Sequence, residues 1–203
     1  MRLGVFGGTF DPVHLGHLIL AEQCREQAGL DEVLFIPSAR PPHKLNQPLT
    51  PFERRVEMLA LAISGQPAFH VDEMEKDRPG PSYTVETLRI LKERRPGAEL
   101  FLIVGGDSLN DLPYWYEPRR IVELATLLIV ARPGCEVPPL ETWRQALKCP
   151  DDFPLRRQIV PCPLIDIASR DLRQRVGEGK SIRFMVPRAV EVYIGEKKLY
   201  LSV

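Results

Sequence analysis

Residues 7–17 read Gly-Gly-Thr-Phe-Asp-Pro-Val-His-Leu-Gly-His, and they join an apolar run at residues 3–6 to a helical pattern that begins at His17. Glycines at such a junction let the backbone approach a ligand closely, and the N–H groups at a helix start favour anions. His14 and His17 lie three residues apart, with Gly16 between them to leave space. We therefore expect this stretch, called the glycine–histidine segment below, to bind nucleotide phosphates and to stabilise charge in a transition state.

Other interpretations of phosphate-like motifs in the chain are weaker. A tight turn with one structural histidine would not need two histidines and three glycines. A zinc site needs more ligands than two histidines, so we expect no metal site. The fingerprint G-x-G-x-x-G is absent after the first strand, which disfavours a hydride-transferring dinucleotide enzyme. Residues 177–181 resemble the end of a Walker A loop, but the first glycine of that motif would fall on Gln174.

Short apolar runs and helical patterns alternate as far as residue 131. Strands are predicted at residues 3–6, 33–36, 68–71, 100–104 and 126–131, and helices at residues 17–28, 50–64, 84–95 and 118–124. This alternation predicts an α/β fold with a doubly wound parallel sheet. Ligands of such sheets bind beyond the carboxyl ends of the strands. The segments of interest are therefore residues 7–17, 37–44, 105–108 and 132–134.

Local patterns predict several details outside this core. Thr50-Pro51-Phe52-Glu53 is typical of a capping box with Pro51 at the first helical position. Residues 135–163 are rich in proline, and we expect them to be irregular apart from a helix near residues 141–147. Helical patterns at residues 169–178 and 187–197 predict a helical C-terminal tail. We expect residues 1–203 to form a single domain with a helical C-terminal subdomain from about residue 164.

Composition excludes several classes of function. The chain has 203 residues with 27 Lys and Arg against 27 Asp and Glu, so its formal net charge is 0. This balance argues against a general binder of nucleic acid or of acidic membranes. Four cysteines without a C-x-x-C pair are typical of reduced cytosolic thiols, and the longest apolar stretch is far shorter than a membrane span. We expect a soluble cytoplasmic protein, and the composition leaves a homo-oligomer open.

Further motifs connect the chain with a known family. The glycine–histidine segment resembles the signature of the HxGH nucleotidyltransferases. The chain also resembles bacterial nicotinate-nucleotide adenylyltransferases along nearly its full length. The matching pieces are Pro-Pro-His-Lys at 41–44, Ser-Tyr-Thr at 82–84, Gly-Gly-Asp-Ser at 105–108, Tyr-Trp-Tyr at 114–116, Ala-Arg-Pro-Gly at 131–134 and Ile-Ala-Ser-Arg-Asp-Leu-Arg at 167–173.

The resemblance implies a reaction in which ATP and nicotinate mononucleotide give deamido-NAD and pyrophosphate. The phosphate of the mononucleotide would attack the α-phosphorus of ATP in line, with no covalent intermediate and no protein base. Catalysis would then consist of positioning and electrostatic stabilisation, with Mg²⁺ on the ATP phosphates. ATP and nicotinate mononucleotide would be the small-molecule partners, and neither nucleic acid nor a membrane is expected.

The resemblance also implies roles for individual residues. The catalytic residues would be His14, His17, Lys44 and Arg173. The ATP site would contain Gly8, Thr9, Phe10, His14, His17, Gly105, Asp107, Ser169 and Arg173. The nicotinate mononucleotide site would contain Thr9, Lys44, Thr84, Trp115, Tyr116 and Arg132, with Trp115 stacking on the nicotinate ring.

Structural interpretations of four of these residues stay open beside the functional ones. Lys44 is equally typical of an ordinary surface lysine, and Asp107 of the N-cap of a following turn. Trp115 has the pattern of a core or lid aromatic. Arg132 follows a predicted strand and could merely end it.

The chain departs from the family pattern in one motif. The usual Ile-Ser-Ser-Thr-x-Ile-Arg has Ala168 in place of the first serine and Arg170 in place of the threonine. Both changes remove hydroxyl groups that can donate to phosphate, and Arg170 either supplies a replacement charge or points to solvent.

Nicotinamide mononucleotide stays open as the acceptor. Two other functions stay open: another nucleotidyltransferase of the superfamily, and a non-catalytic nucleotide-binding regulator.

Overall fold

A six-stranded parallel sheet forms the centre of the protein in the computed structural model, which describes residues 1–44, 48–105, 111–131 and 137–201. The strands are β1 (Arg2–Gly8), β2 (Glu32–Pro37), β3 (Phe69–Val71), β4 (Glu99–Gly105), β5 (Ala125–Ala131) and β6 (Arg157–Pro161). Their order in the sheet is β3-β2-β1-β4-β5-β6. The α/β class and the doubly wound parallel sheet predicted from the sequence are confirmed.

Helices cover both faces of this sheet. Within the described residues they are α1 (Leu15–Gln27), α2 (Phe52–Ile63), α3 (Thr84–Arg94), α4 (Pro118–Leu124), α5 (Leu140–Ala146), α6 (Ser169–Gly177) and α7 (Arg188–Glu196). The predicted stop of α1 at Gly29 is borne out by its positive φ of 57°. The helical C-terminal tail is present as α6 and α7. Along the described chain, no helix combines the length and the apolar composition needed to span a membrane.

The two faces of the sheet carry separate hydrophobic cores because side chains alternate along each strand. Phe6 of β1 packs with α1, α2, α6 and α7, in a cluster that includes Met58 and Leu172. Leu3 and Val5 of the same strand face the opposite side and pack with α3, α4 and α5. Burial on both faces explains why the strands have continuous apolar sequences.

The predicted capping box at residues 50–53 is wrong. Pro51 has φ −45° and ψ 141° and stands before the helix, which begins at Phe52, and no side chain caps it. Thr50 therefore lies one residue too far from the helix to cap it. Its backbone has other partners, since its N–H donates to Asp11 Oδ2 (3.1 Å) and its carbonyl oxygen accepts from Arg55 Nε (3.0 Å).

The prediction for residues 135–163 is only partly correct. The helix expected near residues 141–147 is present as α5. The stretch expected to be irregular also contains β6, which pairs in parallel with β5 at the edge of the sheet. Only Val160 of this strand is fully buried, so the strand lacks the apolar run that marks the inner strands.

The topology places the glycine–histidine segment at the switch point of the sheet. β1 is paired with β2 on one side and with β4 on the other. The chain moves outward from β1 to β2 and β3, then crosses to β4 and continues in the opposite direction. A crevice opens at such a reversal, beyond the carboxyl ends of the strands, and ligands of open α/β sheets bind there.

Candidate functional site

His14 and His17 form a stacked pair at the start of α1. Their ring centroids are 3.7 Å apart with an interplanar angle of 26°, and His14 is only 6% exposed. The backbone N–H of His14 donates to Nδ1 of His17 (3.2 Å). Because Nδ1 of His17 accepts this bond, its neutral ring carries the proton on Nε2. His17 is thus set up to donate a hydrogen bond through Nε2.

Two glycines let the side chains of this arrangement pack closely against the backbone. A Cβ atom on Gly16 would lie 3.0 Å from Nδ1 of His14, and one on Gly8 would lie 3.0 Å from the ring of Phe10. Phe10 has a positive φ of 48°, and its buried ring packs edge-on against His17 with centroids 5.0 Å apart. Its side chain therefore belongs to the core, and only its backbone is available to a ligand.

A buried arginine bonds to the backbone of the glycine–histidine segment, and the sequence pattern did not predict this role. Arg55 of α2 is 1% exposed and donates to the carbonyl oxygens of Thr9 (2.8 Å), Ser38 (2.9 Å) and Thr50 (3.0 Å). Burial lowers the pKa of its guanidinium, and the Asp11 carboxylate opposes this shift. One cation thus joins the loop after β1, the loop after β2 and the segment before α2.

The C-terminal tail brings Ser169 and Arg173 to the same segment, as the sequence predicts. Ser169 Oγ donates to the carbonyl oxygen of Pro12 (2.9 Å), and Arg173 Nη1 donates to that of Asp11 (2.7 Å). The side chain of Arg170 is 84% exposed and lies 3.4 Å from its neighbour Asp171. Of the two alternatives for Arg170, the structure therefore shows the solvent-facing one.

The residue before Thr84 contacts the Tyr-Trp-Tyr stretch on the opposite face of the sheet. Thr84 is the first residue of α3, and the ring of Tyr83 before it stacks on Tyr116 with centroids 4.4 Å apart. Trp115 is half-buried against the hydrophobic core under α3 and α4. Glu117 then turns the chain with a positive φ of 48°. Its carboxylate raises the pKa of the adjacent Tyr116 phenol.

The loop that carries Lys44 is tied to the loop before α3. The N–H of Ser82 donates to the carbonyl oxygen of Arg40 (2.8 Å), and the N–H of Arg40 donates to Ser82 Oγ (2.9 Å). Lys44 ends the 3₁₀ turn Pro42–Lys44 a few residues later. These bonds join the loop after β2 to the loop that leads into Thr84.

The remaining predicted residues lie at the same edge or outside the described chain. Gly105 is the last residue of β4 and pairs with Val130. Asp107 and Arg132 fall outside the described residues. Within the part of the chain that the structure describes, no three His, Cys, Asp or Glu side chains come together as a metal site.

Among the described residues, one cavity lies away from this site and another borders it. One of about 570 Å³ lies between the end of α2 and β3 at the edge of the sheet, and its walls contain none of the predicted site residues. The other, of about 680 Å³, lies beside the glycine–histidine segment and has Asp11, Arg173 and Tyr200 in its wall. The second cavity therefore borders the segment on the side of the C-terminal tail.

Comparison with solved structures supports the fold. The nicotinic acid mononucleotide adenylyltransferase of Plasmodium falciparum, complexed with NaAD, superposes with a TM-score of 0.79 at 19% identity, covering 98% of this chain and 97% of that one. A structure described as a putative nicotinate-nucleotide adenylyltransferase from Vibrio parahaemolyticus gives a TM-score of 0.71 at 20% identity, covering 100% of this chain and 96% of that one. At these identities the likeness establishes the common architecture.

Comparison with sequences establishes the family. The cytidylyltransferase-like family model matches residues 5–175. A protein of Thermomicrobium roseum named probable nicotinate-nucleotide adenylyltransferase is 49% identical over 202 residues, covering 100% of this chain and 92% of the relative. One of the same name from Thermus thermophilus is also 49% identical, covering 98% of this chain and 100% of the relative. The chain therefore belongs to the nicotinate-nucleotide adenylyltransferases within the cytidylyltransferase-like family.

Proposed function

We propose that this chain joins ATP and nicotinate mononucleotide to form deamido-NAD and pyrophosphate, a step of NAD biosynthesis. The observation that carries the proposal is the stacked His14–His17 pair at the start of α1, which lies at the switch point of the sheet with two closely packed glycines beside it. Such a helix start offers N–H donors and a positive dipole to phosphate. The relatives' names support nicotinate mononucleotide as the acceptor.

The chemistry needs no covalent intermediate. An oxygen of the mononucleotide phosphate forms a bond to the α-phosphorus of ATP, while the bond from that phosphorus to the bridging oxygen breaks. The electron pair leaves with pyrophosphate. The attacking phosphate is already anionic, so the protein has no proton to remove, and its task is to position the reactants and to stabilise the charge. We assign His17 to this charge, since the backbone bond to Nδ1 leaves Nε2 as its donor.

ATP is proposed to lie along the glycine–histidine segment and the start of α6. The backbone of Gly8, Thr9 and Phe10 lines the junction of the two substrates, with His14 and His17 on the phosphates and Gly105 and Asp107 at the adenosine. The hydroxyl of Ser169 already donates to Pro12, so we assign its backbone N–H, in the first turn of α6, to phosphate. The guanidinium of Arg173 has five N–H donors and uses one for the carbonyl oxygen of Asp11, so other donors can bind the departing pyrophosphate.

Nicotinate mononucleotide is proposed to lie on the side of α3. Trp115 stacks on the pyridine ring, and Tyr116 and Thr84 donate to its carboxylate. The first turn of α3 favours a carboxylate over an amide, because its N–H groups and dipole attract negative charge. Thr9, Lys44 and Arg132 complete this site in the proposal, with Lys44 and Arg132 near the phosphate. The bonds between Arg40 and Ser82 support it, since they hold the loop of Lys44 against the α3 side.

Mg²⁺ enters the proposal as part of the substrate Mg-ATP. The described residues form no cluster that could hold a resident metal ion. Mg²⁺ commonly keeps several waters and binds through substrate phosphates, and we propose that role for it here. We further infer that residues 1–203 act as one domain whose C-terminal helices supply Ser169 and Arg173. We place the reaction in the cytoplasm, since Cys24 and Cys149 are buried thiols that fit a reducing compartment.

A pyrophosphate-release assay with Mg-ATP tests the proposal. Nicotinate mononucleotide, nicotinamide mononucleotide and phosphopantetheine are compared in parallel as acceptors, and we expect release with the first far above the other two. Equal release with both pyridine nucleotides would overturn the roles of Thr84 and Tyr116. Silence with all three acceptors, in a protein that still binds ATP, would instead support a nucleotide-binding regulator.

A further inference from the structure

The C-terminal part of the chain holds the short stretch that leads into the histidine pair. Ser169, Arg173 and Met185 bond to the backbone of Pro12, Asp11 and Leu15, in the last case with the N–H of Leu15 donating to the Met185 carbonyl oxygen (2.9 Å). A fourth bond differs from these because it reaches a side chain. The hydroxyl of Tyr200 donates to Oδ1 of Asp11 (2.7 Å), across 189 residues of sequence.

Asp11 is a buried carboxylate, and each of its two oxygens accepts a hydrogen bond. It is 1% exposed, and its Oδ2 accepts from the N–H of Thr50 while Oδ1 accepts from Tyr200. The buried guanidinium of Arg55 attracts it. A carboxylate held away from water is costly unless hydrogen bonds satisfy its oxygens. Removal of the Tyr200 hydroxyl therefore leaves Oδ1 short of a donor and loosens the residue three positions before His14.

Tyr200 is well suited to a permanent donor role. Burial, together with the Asp11 carboxylate, strongly raises the pKa of its phenol, so the hydroxyl stays protonated. Its backbone adopts a positive φ of 63°, which a bulky residue rarely accepts without compensating contacts. Tyr200 also lines the cavity of about 680 Å³, together with Arg173.

We propose that Tyr200 is a positioning residue that fixes the glycine–histidine segment, and with it the His14–His17 pair, through the carboxylate of Asp11. This inference rests on the proposed function, because the pair is assigned there to the ATP phosphates. Tyr200 itself touches neither reacting group in this proposal. Its effect reaches the site through the backbone between Asp11 and His14.

The test compares Tyr200→Phe with a matched control, Tyr193→Phe. Both substitutions remove one partly buried phenolic oxygen from the C-terminal region. The hydroxyl of Tyr193 bonds to Glu57 and Arg54 on the outer face of α2, away from the segment. We expect Tyr200→Phe to lower kcat by about tenfold, as for a small misplacement of catalytic groups, while the KM for nicotinate mononucleotide stays unchanged. Tyr193→Phe keeps wild-type kcat, and circular dichroism verifies that both variants are folded.

Hydrogen–deuterium exchange gives a readout that does not depend on turnover. We expect faster exchange of the backbone amides at residues 13–18 in Tyr200→Phe than in Tyr193→Phe or in the wild type. Unchanged exchange there, unchanged kcat, or equal losses in both variants would each overturn the inference. Faster exchange in a protein whose wild type releases no pyrophosphate would instead show that the tail fixes the segment while the proposed function fails.

Discussion

At the scale of single residues, the bond from the His14 N–H to Nδ1 determines which nitrogen of His17 can act on a substrate. We expect His17→Ala to lower kcat by about 10²–10³-fold, because loss of one preorganised donor costs about that much in acyl- and phosphoryl-type transition states. Steady-state pyrophosphate release measures the effect. His70→Ala, at an exposed position on β3, is the matched control and keeps full activity. Wild-type turnover in His17→Ala would remove His17 from the chemistry.

Trp115 carries the prediction for the acceptor site. Stacking of a base on an aromatic side chain contributes about 1–3 kcal/mol, so we expect Trp115→Ala to raise the KM for nicotinate mononucleotide by about tenfold or more. The KM for ATP stays unchanged, since Trp115 is not among the residues proposed to bind ATP. Tyr114→Ala is the control, because that neighbouring ring is 88% exposed. An increase confined to the KM for ATP would contradict the stacking assignment.

Residues that bind ligands are easier to predict from the sequence than residues that hold them in place. Two histidines beside glycines have a chemistry that is readable locally, and Ser169 and Arg173 bond to the backbone just before His14. Arg55 gave no such signal, since an arginine in an amphipathic helix usually faces solvent. Its role depends on three carbonyl oxygens from separate loops, and only the folded chain brings these together.

At the scale of elements, helix α6 has no capping side chain at its start. Ala168 occupies the N-cap position with extended φ and ψ of −119° and 138°, the geometry in which a serine side chain accepts from the helix N–H groups. We expect Ala168→Ser to raise the free energy of unfolding by about 1 kcal/mol. Urea denaturation followed by circular dichroism measures the change.

The matched control for that substitution is Arg170→Thr, which restores the other family residue of the motif. The side chain of Arg170 is exposed, so this change should alter the free energy of unfolding by less than about 0.5 kcal/mol. No stabilisation from Ala168→Ser would show that other groups already satisfy the helix start, and equal stabilisation by both variants would show that the gain does not come from capping.

Four of the five strands that the sequence predicted share a feature that the missed strand β6 lacks. β1, β2, β4 and β5 lie inside the sheet and are apolar on both faces, so a short apolar run marks each. β6 lies at the edge, with Val160 as its one fully buried residue and with prolines nearby, and its pairing with β5 depends on the sheet already being present. The capping box failed for a related reason, because a long-range bond to Asp11 holds Thr50.

At the scale of the whole molecule, the hydrophobic core that contains Phe6 also holds ionisable groups that are stable only in their neutral form. Burial, with a contribution from nearby Cys162, raises the pKa of the Cys24 thiol to about 12 from its ordinary 9.0. The pKa of Tyr200 is also raised, by burial and by Asp11. An unfolded chain therefore releases these protons at a lower pH than the folded protein does.

This difference predicts alkaline destabilisation of the whole fold. The contribution of each group is fully present below its unfolded pKa and is lost as the pH rises toward its folded pKa, at about 1.4 kcal/mol per pH unit for each group. Urea denaturation at pH 8, 9, 10 and 11 should show a free energy of unfolding that is level at first and then falls. Cys24→Ala and Tyr200→Phe should each make this fall less steep, whereas Tyr114→Phe, which alters an exposed ring, should not. Parallel slopes in all four proteins would mean that other groups govern the alkaline limit.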